Sequence, residues 1–395
     1  MRNSTVSAVN RLTAHWAART DGDAGTVFTA AGVWPLLALL ADGAQGPARA
    51  ELAEALGMSA DTAAGAAREL LAALGRVRGL EAATGLWVRD GLPLREPWSR
   101  RLPPGTRGLL TGDPDTDRKV LDAWARERTH GLIERMPVAL NKDSSLVLAS
   151  ALALRIGWIR PFHETLSEAG SGPWSGLTLR MLYRSTALLD RVRVAHGTGG
   201  AVTLLEVVGS AGVDVHLVLG EPGAPAGATL TSGIAAVTRA LPSTGASLLP
   251  PGEPGPGLSV GTVRSASPER RLEIDTTAFG IRAEHDLLHH ARLFGLEAAC
   301  DTGRGHFPGI SGEPLAIGSA RQSALARFHA EGFEAAAITP LDLVGAGMPP
   351  RLRYRVRRAR VRFDRPFGFL AVHRTSRLVL AAGWVTEPET SAEEY

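Results

Sequence analysis

Cysteine is almost missing from this chain: Cys300 is the only one, so no intramolecular disulfide can brace the fold. That excludes a disulfide framework but leaves the compartment open, because many extracytoplasmic proteins also lack bridges. Lysine is nearly as scarce. Lys119 and Lys142 are the only two, and arginine supplies the other cations, a pattern of codon bias rather than of function. The formal net charge of +3 does not by itself call for a nucleic-acid partner. No long apolar run exists. The best, residues 33–40, is broken by Pro35 and is far too short to cross a bilayer. Residues 1–10 show no signal-peptide apolar core, so the chain as given reads as soluble, non-membrane and cytoplasmic.

Catalytic signatures are also lacking. There is no Gly-x-Ser-x-Gly elbow and no Gly-x-x-x-x-Gly-Lys phosphate loop. His285 and His289 stand four apart, as on a zinc helix, with His290 beside them. Such a site needs a third ligand and a glutamate base where Asp286 stands. The plainer reading is a solvated helix start with Asp286 favoured near its N-terminus. Cys300 has no identifiable catalytic partner. A protein without enzymatic activity, metal or cofactor is expected.

What is present is ordinary globular material, 44% hydrophobic and 21% charged. Val6, Val9, Leu12 and Trp16 fall at helical spacing over 6–18. Further helices are expected over 33–40, 48–56, 63–74 and 119–136, the last ending before Pro137. A short strand starts at 86–88. Residues 146–156 are apolar without alternation, as in a strand buried on both faces. From residue 177 strand patterns dominate, notably 202–208 and 213–219, and 379–385 is apolar enough to be buried. Residues 220–225 and 249–257, rich in Pro and Gly, read as loops. Pro250 to Gly257 could link two domains, but strand patterns on both sides favour a surface loop within one domain over 1–395. Helices first and strands later indicate an α+β fold.

The most informative stretch is Glu331-Gly-Phe-Glu-Ala-Ala-Ala-Ile-Thr339. Its small residues after a glycine offer little to anchor a core and little to obstruct entry into one. With Arg365-Pro-Phe-Gly-Phe-Leu370 it resembles the hinge and C-terminal signature of the serpin family. Asp122-Ala-Trp-Ala125, Ser150-Ala-Leu152 with Trp158 and Pro161-Phe162, Asp286-Leu287, Phe294-Gly-Leu296 and Phe307-Pro-Gly-Ile-Ser311 resemble further family motifs, in order, over nearly the whole chain.

The resemblance implies three β-sheets with a helical coat, a mobile reactive loop over about 331–350, and a monomer that can be extracellular. It also implies a suicide inhibitor: a serine protease cuts the exposed loop, and the freed arm enters the main sheet before the acyl-enzyme is hydrolysed. Gly332, Phe333, Glu334, Ala335, Ala336 and Ala337 match the hinge. The family's loop spacing from Gly332 puts the scissile bond at Ala346–Gly347, suited to elastase- or subtilisin-like enzymes. Thr29, Gly32, Ser150, Trp158 and Gln322 fall in the region where the sheet opens, although four of them differ from the usual Ser, Ser, Asn and His. Phe333 stands where Thr or Ser is usual, and its ring is expected to cost about 1–3 kcal/mol on entry by overpacking. Ile338 and Pro340 also depart from the pattern, since proline has no N–H for a central strand.

The alternative is a non-inhibitory binding protein, one form of which binds polyanions through the arginine-rich segment 351–362. Arg351, Arg353, Arg355 and Arg357 alternate, and Arg358 begins a second alternation in the opposite phase. A bulge between Arg357 and Arg358 is expected to return the apolar residues to one face. Arg355-Val-Arg-Arg358 also offers a dibasic cleavage site, at an unusually long distance from Gly332.

Overall fold

The computed structural model describes residues 1–138, 140, 145–169, 172–301, 303–333 and 352–390. Helix Asn3–Ala17 buries Val6, Val9, Leu12 and Trp16 on one face, as their spacing predicts. Helix Ala30–Ala41 starts earlier than the apolar run suggests, because the Thr29 hydroxyl caps it by accepting from the Gly32 N–H at 3.2 Å. Every residue of this helix is buried, and Pro35 within it forfeits one backbone bond. Helices Gly46–Leu56 and Ala60–Leu74 pack beside it.

The helix expected over 119–136 is instead Pro114–Arg128. Asp113 caps its start. Its end is set by Thr129, whose hydroxyl donates to the Ala125 carbonyl and accepts from the Ile133 N–H at 2.9 Å. His130 and Gly131 then take left-handed backbone. Ile133 and Met136 still reach the core from the following loop, which is why their spacing imitates a longer helix.

Three sheets form the rest of the architecture. The central one runs Arg107–Leu110, Leu80–Arg89, Leu146–Leu154, Ile317–Phe328, Phe279–Asp286. All nine residues of Leu146–Leu154 are buried, as expected of an interior strand. On one side it pairs antiparallel with Leu80–Arg89, on the other parallel with Ile317–Phe328. A second sheet runs Gly252–Gly255, Leu258–Ser265, Tyr354–Arg362, Arg271–Thr277, Thr178–Thr186, His163–Glu168. Part of the expected loop 249–257 is therefore a strand, hairpinned onto Leu258–Ser265. Its one proline, Pro254, and its glycines suit an edge strand. The third sheet carries the C-terminal strands Phe367–His373 and Val379–Val385 beside Val213–Gly220 and Gly200–Val208. Helices precede most of the strands and coat them, an α+β arrangement of three sheets as the resemblance implied.

Candidate functional site

Strand Ile317–Phe328 ends in a turn that reverses the chain. The His329 N–H donates to the Gly332 carbonyl at 2.9 Å, and Phe333 then pairs back against Phe328. On its other side Gly332–Phe333 pairs with Ile156–Gly157, which continues the direction of Leu146–Leu154. The two hinge residues thus form a strand segment lodged between neighbours of the central sheet. Gly332 is required there by crowding: an added methyl carbon would lie 2.3 Å from the Ile156 carbonyl oxygen. Backbone approach, rather than freedom to rotate, is the reason for glycine.

Phe333 overturns the expectation that its ring obstructs entry. The ring is already inside, 1% exposed, with its centroid 6.1 Å from that of Phe369. Phe369 in turn meets Phe279, which stacks on Phe328, and Phe328 meets Trp158. The C-terminal signature is therefore part of the floor on which the hinge rests. No further overpacking arises at this position, because the core is built around the ring.

The turn itself is gripped from one side. The Trp158 indole N–H donates to the His329 carbonyl at 2.9 Å, the Trp158 backbone N–H to Glu331 at 3.0 Å, and the Phe162 N–H to Ala330 at 2.8 Å. Behind Phe162, the Arg184 guanidinium lies 4.2 Å from the ring centroid and donates to the Arg160 carbonyl at 2.7 Å. Burial, with Arg160 and Arg191 nearby, lowers the Arg184 pKa to about 10. His329, within the turn, is pushed below its ordinary value by burial and by Arg327 and Arg180. Neither His329 nor Arg184 carries a motif that sequence reasoning could have found.

Farther along the same strands, Thr29, Gly32, Ser150 and Gln322 do come together. The Gln322 carboxamide spans the Thr29 backbone, accepting from its N–H and donating to its carbonyl, each at 2.8 Å. The Thr29 hydroxyl donates to the Leu380 carbonyl at 2.6 Å. Gln322 faces Ser150 across the parallel pairing, and Gly32 leaves room for the Ser150 hydroxyl, which an added methyl would approach to 2.4 Å. That hydroxyl is buried and has no partner among the described residues. Trp158 stands apart, at the hinge. Gln322 and Phe328 are six positions apart, roughly 20 Å of strand.

The arginine strand departs from expectation. Tyr354–Arg362 pairs with Leu258–Ser265 in continuous register, with no bulge at Arg357–Arg358. Its arginines consequently change face midway. Arg357 lies on the side of Ala359 and Val361 and donates to the carbonyls of Ala246, at 3.0 Å, and Leu249. Arg358 and Arg360 point the other way, where Glu273 lies 3.9 Å from Arg358 and Asp275 lies 2.7 Å from Arg360. Arg353 and Arg355 are exposed, and Arg264, which sequence reasoning missed, is directly opposite Arg355.

His285 and His289 do not share a helix. His285 ends a strand, with its Nε2 2.8 Å from the Val27 carbonyl and its ring edge-on to Trp16, whereas His289 sits exposed in the turn Leu287–His290. Burial holds the His285 pKa below its ordinary value. Asp286 does cap that turn, accepting from Leu288 N–H at 3.0 Å, and it pairs with Arg321 at 2.8 Å. Glu334, Ala335, Ala336, Ala337, Ile338, Pro340, Ala346, Gly347 and Arg351 lie outside the described residues.

Comparison with known proteins agrees with this geometry. Serpin-Z2A of Oryza sativa subsp. japonica is 26% identical over 425 residues, covering 93% of this chain and 92% of its own. A highly specific serpin of the insect Tenebrio molitor shares the fold with a TM-score of 0.71 at 20% identity, over 98% of each chain. Native protease nexin-1, solved with heparin, gives a TM-score of 0.70 at 16% identity, over 98% of this chain and 99% of its own. The model of the family described as serpin (serine protease inhibitor) matches residues 8–171 and 261–388, and the chain belongs to that family.

Proposed function

We propose that this protein inhibits a serine protease as a suicide substrate, presenting the loop after Phe333 and inserting it into the central sheet once it is cut at Ala346–Gly347. The observation that carries the reading is the arrangement at the seam. Gly332–Phe333 already occupies the space between strand Ile317–Phe328 and Ile156–Gly157, running antiparallel to both. Below it, residues 317–324 pair directly and in parallel with residues 146–152. An entering arm would replace that parallel ladder by two antiparallel ones, each slightly more stable per residue. Gln322 holds the seam's strand to the Thr29 cap, and its two bonds are the ones that parting the strands would strain.

The far end of the loop supports the need for a cut. Strand Tyr354–Arg362 is paired on both sides, antiparallel with Leu258–Ser265 and parallel with Arg271–Thr277. An intact loop is tethered there, so cleavage is what frees its amino-terminal arm to travel. A single-domain monomer and an elastase- or subtilisin-like target belong to this reading. Incubation with elastase and subtilisin, followed by denaturing electrophoresis, tests it. A covalent complex is expected, and cleaved protein with a sharply raised melting temperature should accompany it. Cleaved product alone, melting where the intact protein melts, rejects the proposal.

A second reading, polyanion binding, rests on Arg264 and Arg355 being directly opposed, with Arg353 exposed beside them. Like charges facing one another across strands are unfavourable until an anion compensates them. Steep salt dependence on a sulfated resin, lost in Arg355→Ala, is the expected result. Low-salt elution unchanged by that substitution removes this reading.

A further inference from the structure

A cavity of about 460 Å³ opens beside the carboxyl end of helix Ala226–Val237, over strands Gly200–Val208 and Val213–Gly220. No residue of the hinge, the seam or the arginine strand lines it. Leu204, Val237 and Leu241 give it an apolar side. His216 is 7% exposed, and its Nε2 has no partner among the described residues although it lines this space. A buried ring nitrogen left unbonded is costly, and it lies in a ring that borders the cavity.

The charges around the cavity are unbalanced toward the positive. Glu206 is engaged by Arg191, and Asp190 accepts from the Ser247 N–H at 3.0 Å and its hydroxyl at 2.9 Å. Arg193 donates to Ser243. Arg239 and Arg377 meet no carboxylate among the described residues. Burial keeps the His216 pKa below its ordinary value, so its imidazole is neutral near pH 7 and available for hydrogen bonding.

Arg239 and Arg377 also share an uncommon backbone. Their φ angles are 66° and 61°, and besides His130 they are the only non-glycine residues with positive φ among the described residues. Arg239 ends a helix and Arg377 closes the hairpin between two strands, both places where glycine is the unstrained choice. Local chain geometry would be better served by glycine at each. Two arginines that line the cavity therefore stand where the backbone alone favours glycine.

We propose that this cavity binds a small organic oxyanion, a carboxylate or a phosphate monoester on an apolar body, with the charge held by Arg239 and Arg377 beside the His216 ring. The volume lies within the range of small-ligand sites. The inference is independent of how the loop works.

The probes are naphthyl phosphate and naphthoate, with neutral naphthol as control, titrated into the full chain by calorimetry while the His216 ring resonances are followed. At least one anion should bind at a single saturable site, shift the His216 signals, and bind more tightly than naphthol by about tenfold or more. Which anion does so identifies the headgroup. Arg239→Gly and Arg377→Gly should each weaken binding by about tenfold or more without lowering the melting temperature, because glycine suits both conformations. If either glycine variant loses stability, Arg→Gln at that position must show the same weakening. Unmoved His216 resonances at millimolar anion, equal affinity for naphthol, or undiminished binding by the variants would each overturn the proposal.

Discussion

Replacing Phe333 by Ala separates the hinge from the rest of the fold. In the native protein the ring is fully enclosed against Phe369, and among the described residues Gly332–Phe333 has backbone pairings with Phe328 and with Ile156–Gly157. Truncating a buried Phe costs about 3–5 kcal/mol. The lower end of that range sets the minimum effect. At about 1.4 kcal/mol per decade, a loss of about 3 kcal/mol raises the hinge-out population roughly a hundredfold. The change should be local, since Trp158 and Phe162 hold residues 329–331 from the other side. Amide hydrogen exchange is the assay. Protection at His329 and Phe333 should fall by about two orders of magnitude, while protection at Trp158 and in Leu146–Leu154 and the main melting transition change little. Loop cutting by subtilisin should accelerate in parallel. Unchanged exchange at these amides would mean that Phe333, although buried, does not hold the hinge.

Gln322→Ala strips both hydrogen bonds from the buried Thr29 backbone and should lower stability by about 2–5 kcal/mol, read as a denaturant midpoint shift at constant slope. An unchanged midpoint contradicts the clamp. Ser150→Ala removes a buried hydroxyl that lacks a partner among the described residues, and should raise stability by up to about 1 kcal/mol, seen as a higher midpoint. Acidification should destabilise the native state. His216, His285, His329 and His373 all have folded pKa values below their ordinary value of 6.5, with burial the leading cause. Between the folded and unfolded values the unfolded chain binds more protons, so stability is full above about pH 6.5 and declines as pH falls below it. Denaturant midpoints at pH 7.5 and 5.5 measure this, and His285→Gln should reduce the difference. Asp275→Asn leaves Arg360 without its carboxylate at 2.7 Å, costs about 0.5 kcal/mol or less because the pair is partly exposed, and should strengthen retention on a sulfated resin.

Much of this protein is determined within its own sequence. The helical spacing of Val6 to Trp16, the uninterrupted apolar run 146–154 and the glycine-led run of alanines are local patterns, and local patterns survive without knowledge of partners. They were sufficient for the α+β class and the family resemblance, and it was that resemblance which implied the gathering of Thr29, Gly32, Ser150 and Gln322. Tertiary structure decided what depends on distant neighbours. Whether Phe333 obstructs or anchors is settled by Phe369, thirty-six positions away in the chain. The phase of the arginine strand follows from unbroken pairing with Leu258–Ser265, and the Pro-Gly segment at 252–255 became a strand because that hairpin had an edge to join. His216, Arg239 and Arg377 carry no shared motif, and only the folding of three separate segments around one cavity makes them neighbours. Periodicity reports which side of an element is apolar. Register and enclosure are pairwise properties of segments far apart in sequence, and they exist only once those segments have met.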